Sequence, residues 1–217
     1  MLIANTLPST ITTTIATVTS TGQIQLSTNV PAGMSGIVIH NYGNGLSAIS
    51  HATVSQGNSL ASIDTYRAIV HENIPNIQTE AKAGDKVIFG NFYNNILLIA
   101  PNQTTYRSIT KSHNRTWVHP DAYALDFMKE GSASLTFDSL QKFSQLNQVG
   151  LVLIVTQNKV LILDPISKQF LGELAISTNH DKAMAPFYAR FEQMDTSTFG
   201  FSNTSYVPYF QSVAGLK

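Results

Sequence analysis

The hydrophobic period of this chain changes once. Up to about Phe92, apolar residues alternate with polar ones in short runs broken by Gly and Asn. From Ile96 they come in continuous runs and at helical spacing. A period of two puts alternate side chains on opposite faces of a half-buried strand, whereas a spacing of three to four lines one side of a helix. Both patterns in succession predict an α+β protein. A small N-terminal antiparallel β-barrel over residues 1–92 is expected first, followed by an α/β domain with a mixed sheet over 93–217 that ends in an aromatic tail.

In the first part, "TTIATVT" and "GQIQLST" alternate, and "GIVIHNYGNGLSAISHATV" reads as strand, turn, strand. Asn44-Gly45 suits the positive φ of a tight hairpin turn. "SLASIDTYRAIV" is another strand, and after a loop the last one runs from Lys86 to Phe89. "PAGMSGIVI" and "KAGDKVIFG" both place Ala-Gly in a turn just ahead of a strand, as in a barrel whose strands restart after each corner. Five or six strands are expected to close it.

In the second part, "ILLIAP" is a buried strand, "QTTYRSITKSH" a helix and "RTWVHP" a short strand. Ala122, Leu125, Phe127 and Met128 mark one further helix, and Leu135, Leu140, Phe143 and Leu146 another. "LVLIVT" is a central strand, and the run from Val160 to Ile176 is a hairpin across Asp164-Pro165. One more strand is expected at 187–191. Strand, helix, strand, helix, helix, strand, hairpin is a mixed-sheet arrangement.

Composition limits the chemistry. Charged residues are 12% of the chain and the net charge is zero. No basic run can neutralise a row of phosphates, which argues against nucleic-acid binding. Little self-repulsion keeps copies apart, so self-association is open. With no cysteine, disulfides, thiolate zinc sites and a Cys nucleophile are excluded. Ser and Thr make up roughly a fifth of the residues, well above the usual share. Such a surface is compatible with the periplasm or the cell surface. No run of about 18 apolar residues spans a bilayer. "MLIANTLPST" has no basic region and too short an apolar core for a complete export signal, but fits the last residues of one.

Candidate sites meet ordinary structural readings. Asn102 follows a strand and precedes a helix, where its carbonyl oxygen can cap an orphaned N–H. Pro101 disfavours α conformation at Ala100 and so ends the strand. A ligand at this place is the alternative, since open α/β sheets bind ligands outside the carboxyl ends of their strands. His113, His119 and Asp121 are a conceivable metal set, but the ordinary reading has His119-Pro120 ending a strand and Asp121 capping the next helix. His40 and His51 flank the Asn44-Gly45 turn as ordinary strand residues. Ser35 in "GMSG" lies in a barrel turn, and no G-x-S-x-G, P-loop or dinucleotide fingerprint occurs. No catalytic residue, metal or cofactor is expected. Phe199, Phe201, Tyr206, Tyr209 and Phe210 crowd the tail, either as a partner-binding surface or as a flap closing the core.

At "IFGNFYNNILLIAPN", "GLVLIVTQNKVLIL" and "APFYARFEQMDTSTFG" the chain resembles the N-terminal domain of the plasminogen-binding surface proteins of epsilon-class proteobacteria. The likeness runs from about Thr14 onward and is weakest in the barrel half. It implies an exported, non-enzymatic protein that captures host plasminogen through lysine, with Lys217 as the candidate contact. Members bearing the adhesin name continue into a Lys/Glu-rich tail. Short members resemble the small periplasmic protein of the flagellar basal disk in campylobacter-type bacteria. That second likeness implies a periplasmic or outer-membrane-associated scaffold whose partners are other cell-envelope proteins and copies of itself.

Overall fold

A computed structural model of the chain describes residues 6–19, 22–65, 79–130, 135–176, 183–184, 186–191, 209, 213 and 215–216. The chain divides into two compact units, Pro8–Asn91 and Phe92–Lys217, and the segment up to Leu7 belongs to the second.

The first unit is a closed barrel. Its strands are β1 (Ile11–Val18), β2 (Gln23–Leu26), β3 (Ser35–Gly43), β4 (Leu46–Gly57), β5 (Leu60–Thr65) and β6 (Lys86–Phe89), in the order β1-β2-β5-β4-β3-β6. Every pairing is antiparallel. The alternating pattern sends Ile15, Ile24, Leu26, Val38, Ala61, Val87 and Phe89 inward, all buried. Each of these side chains other than that of Ala61 contributes roughly 1.5–3 kcal/mol by leaving water. Asn44 takes φ 53° at the β3–β4 turn. Residues 66–70, which the sequence reading adds to β5, lie outside the described residues. Ser35 opens β3 rather than sitting in the turn before it.

The repeated Ala-Gly phrase has a physical basis. Gly33 and Gly84 both take positive φ, 87° and 91°. The Gly33 amide donates to Ser55 O at 2.8 Å and the Ser55 amide to Met34 O at 2.9 Å. At the second site the Gly84 amide donates to Ile15 O at 2.8 Å and the Ile15 amide to Asp85 O at 2.9 Å. β3 and β6 then pair with Ile37 opposite Ile88, the fourth residue after each glycine. The barrel therefore has a local two-fold axis that relates β3 to β6, β4 to β1 and β5 to β2.

Among the described residues, the second unit holds a five-stranded mixed sheet and three helices. β7 (Asn95–Ile99), α1 (Gln103–Ser112), β8 (Thr116–Val118), α2 (Pro120–Glu130), α3 (Phe137–Asn147), β9 (Leu151–Val155), β10 (Lys159–Asp164) and β11 (Gln169–Ala175) follow in that order. The sheet order is β11-β10-β9-β7-β8. β7 runs parallel to β8 and β9, while β10 and β11 are antiparallel additions.

Leu97, Ile99, Val152, Ile154 and Leu163 face one core with Tyr123, Ala124 and Phe127 of α2, Leu140 and Phe143 of α3, and Phe187. Phe187 stacks on Tyr123 with ring centroids 5.4 Å apart. Val155 alternates with Ile154 and so faces the other side, as does its partner Val160. There, Val160 and Leu174 share a groove of about 280 Å³ with Thr105 and Ile109 of α1. α1 thus covers the face opposite to α2 and α3.

Three expectations are corrected. Residues 187–191 form no strand; the Tyr188 amide bonds to Ala100 O, just past the end of β7, and Arg190 to Asp121 of α2. Leu125 and Leu146 are not core residues but are 46% and 71% exposed. Tyr123 and Ala124 complete the buried stripe of α2, and Ser144 that of α3, because the stripe follows 3.6 residues per turn and not the strongest apolar letters.

Candidate functional site at the ends of the parallel strands

β7 lies between β8, which follows it through α1, and β9, which is reached by the return through α2 and α3. The connection therefore reverses direction between β7 and β9, and in open α/β sheets the crevice outside the strand ends at such a reversal receives ligands. Here Tyr209 occupies that place. Tyr209 is fully buried, and its hydroxyl lies 3.2 Å from Ile99 O and 3.1 Å from Val155 O, the last residues of β7 and β9.

Met184 and residues 186–191 form a strap beside it. The Met184 amide donates to Pro101 O at 2.7 Å and the Tyr188 amide to Ala100 O at 2.8 Å. Pro101 ends β7, and the Asn102 side chain accepts the Thr105 amide at 2.9 Å as the N-cap of α1. The Asn102 side chain is engaged locally, at the helix start.

Asp121 sits inside the first turn of α2 and is not its cap. The capping acceptor is His119, whose Nδ1 takes the Asp121 amide at 3.2 Å. The same Nδ1 also stands 3.1 Å from Asp121 Oδ1. The Asp121 carboxylate is turned to the strap instead, with Oδ1 accepting the Arg190 amide at 2.8 Å and Oδ2 accepting Arg190 Nε at 2.6 Å. Around this pair the Tyr106, His119 and Tyr188 rings touch, with Tyr106 5.3 Å from His119 and 5.5 Å from Tyr188.

The electrostatics follow from that packing. Burial lowers the His119 imidazole below its ordinary value, against the pull of Asp121 and with the push of Arg190. Burial works to raise the Asp121 carboxyl, but hydrogen bonds from the Arg190 amide and guanidinium outweigh it and hold the group below its ordinary value. The hydrogen bond to Asp121 makes the Arg190 guanidinium hold its proton more tightly. Burial raises the Tyr106 phenol, with Tyr188 and Asp121 adding to the rise. Perturbed groups gathered at one place mark a functional candidate.

Other sequence candidates lie elsewhere. His113 is at the end of α1, with Nδ1 2.8 Å from Ser112 Oγ, and does not join His119 and Asp121. Among the described residues no three His, Asp or Glu side chains gather as a metal set. His40 Nδ1 is 2.7 Å from Asp85 Oδ1, and His51 Nδ1 is 3.1 Å from Ser50 Oγ. Tyr209 is removed from the partner-binding set by its burial. Phe199, Phe201, Tyr206, Phe210 and Lys217 lie outside the described residues. Sequence reasoning missed Tyr188 and Arg190, and the one available signal was a Tyr and an Arg two apart in a segment mistaken for a strand. Among the described residues no helix is long and apolar enough to cross a membrane.

A family model described as "Plasminogen-binding protein pgbA N-terminal" matches residues 10–214. Two curated relatives, from Helicobacter pylori strains J99 and 26695, both carry the name plasminogen-binding protein PgbA. Each is 28% identical over 160 residues, covering 72% of this chain and 35% of the relative. The chain thus spans about a third of the length of these relatives. No solved structure matches it. The match across nearly the whole sequence places this chain in the family of PgbA N-terminal domains.

Proposed function

We propose that this protein is an exported, non-enzymatic binding module of the cell envelope, periplasmic or outer-membrane-associated, and that host plasminogen is a partner. The observation that carries the reading is the family match over residues 10–214, together with the name of the relatives. The geometry supports it. Where an α/β sheet of this order would open a crevice for a small substrate, Tyr209 and the strap fill the space. Asp121 is tied to Arg190, which leaves it poorly placed for acid–base work on a substrate. The reading requires no catalytic residue, cofactor, metal or nucleic acid. Phe199, Phe201, Tyr206, Phe210 and Lys217 remain its candidates for the contact.

The test is retention of plasminogen on immobilised protein, with free lysine as competitor. Saturable retention that lysine displaces is expected. No retention at any protein density would end this reading.

Zero net charge and 12% charged residues favour a second reading, an assembly module that binds copies of itself and other envelope proteins; the flagellar basal disk as its place is implied only by the resemblance to short members. Sedimentation at rising concentration and capture from an envelope fraction test it. A protein that stays monomeric and retains no envelope protein rules it out.

A further inference from the structure

His119 Nδ1 stands 3.2 Å from the Asp121 amide and 3.1 Å from Asp121 Oδ1. The two neighbours want opposite things from one nitrogen. A neutral ring with a lone pair on Nδ1 accepts the amide and caps α2. A protonated ring has N–H at both positions, can no longer accept that amide, and donates to Oδ1 instead. Oδ1 already accepts the Arg190 amide at 2.8 Å, so the new donor shares that oxygen with, and draws charge from, the bond that fixes the strap's far end.

We propose that His119, Asp121 and Arg190 form an acid-released latch, which holds the strap across the carboxyl end of β7 while His119 is neutral and lets it go when His119 is protonated.

The groups that face His119 decide the direction. From α1 comes Tyr106, 5.3 Å away ring to ring; from the strap come Tyr188, 6.3 Å away, and Arg190; from α2 comes Asp121. Only Asp121 favours the imidazolium, and its carboxylate is already neutralised by a guanidinium at 2.6 Å. The rings remove water and Arg190 repels a second cation. The sign then follows from linkage. A histidine whose folded value is depressed binds its proton more readily once released, so the latched state is fully favoured above the ordinary value and is lost as pH falls through the folded one. Asp121, depressed as well, stays ionised through that window and cannot be the group that titrates there. The strap's two inner bonds go to Ala100 O and Pro101 O, so release loosens the strap at the carboxyl end of β7, one residue beyond the Ile99 carbonyl that Tyr209 meets. The latch does not depend on which partner the protein binds.

Hydrogen exchange of the Tyr188 and Arg190 amides, corrected for intrinsic rates, is the test. Between about pH 7.5 and about pH 5.5, their protection is expected to fall, by up to about tenfold for each unit that His119 lies below its ordinary value. Amides of α3 should not change. His119→Gln keeps an acceptor but takes no proton, and its exchange at both amides should be flat across the window. His113→Gln should behave like the unaltered protein. An equal fall in His119→Gln, or no fall in the unaltered protein, overturns the latch. Should His119→Gln not fold, an NMR titration of His119 in the unaltered protein decides. A midpoint below about 6.5 shared with the two amides supports the latch, and one at or above it overturns the proposal.

Discussion

Asn102 shows how far a single side chain can be read from its neighbours. Its carbonyl oxygen accepts the Thr105 amide three residues on, and α1 has no acidic residue in its first turn to assist. Replacing it by Ala should cost about 1 kcal/mol, whereas Gly should cost only a few tenths, because Gly leaves water room to reach the amide. Denaturant unfolding of the two variants checks the contrast, and no loss in the Ala variant would show that the cap contributes nothing. This role was legible because every group in it lies within four residues. Asp121 was not, because what draws its carboxylate away from the cap is an arginine 69 positions later. Tyr209 was harder still. Its choice between surface and core depends on carbonyls 110 and 54 residues away, and an aromatic-rich tail has the same letters in either case.

At the scale of elements, the period of the pattern did most of the specifying. The strand at Lys86–Phe89, the hairpin over Asn44-Gly45 and the order of strands and helices after Ile96 follow from alternation, turn residues and breakers. What remained hidden was pairing. The echo of two Ala-Gly phrases suggested a barrel, but not that β3 and β6 meet as symmetry mates. That contact depends on the absence of a side chain at Gly36, where a Cβ would stand 2.5 Å from Ile88 O and 2.9 Å from Phe89 Cα. Both are backbone atoms of the paired strand, so neither can yield without breaking the ladder. Gly36→Ala should therefore destabilise the barrel by roughly 1–3 kcal/mol, as overpacking does. Gly22→Ala is the comparison for backbone strain alone, since open space surrounds that site at φ 77°. A Gly36→Ala protein as stable as the unaltered one would mean that β3 and β6 are not pressed together.

At the scale of the molecule, each half encloses its own core, Ile15, Ile24, Val38, Val87 and Phe89 in the barrel and the Tyr123, Phe143, Ile154 and Phe187 cluster in the α/β unit. Domains that each enclose a core usually unfold as separate cooperative units. Ile24 and Leu153 are both fully buried, one on a barrel strand and the other in the middle of the five-stranded sheet. Truncating either to Ala should remove about 2–5 kcal/mol from the unit that contains it. If the units are energetically separate, denaturant unfolding followed by hydrogen exchange shows two transitions, with Ile24→Ala lowering the barrel midpoint alone and Leu153→Ala the other alone. Trp117, the one tryptophan of the chain, stands on β8 of the α/β unit, so its fluorescence should follow the Leu153→Ala transition and ignore the other. A single transition that both substitutions shift together would mean that the halves unfold as one, and the fluorescence of Trp117 would then follow Ile24→Ala as well.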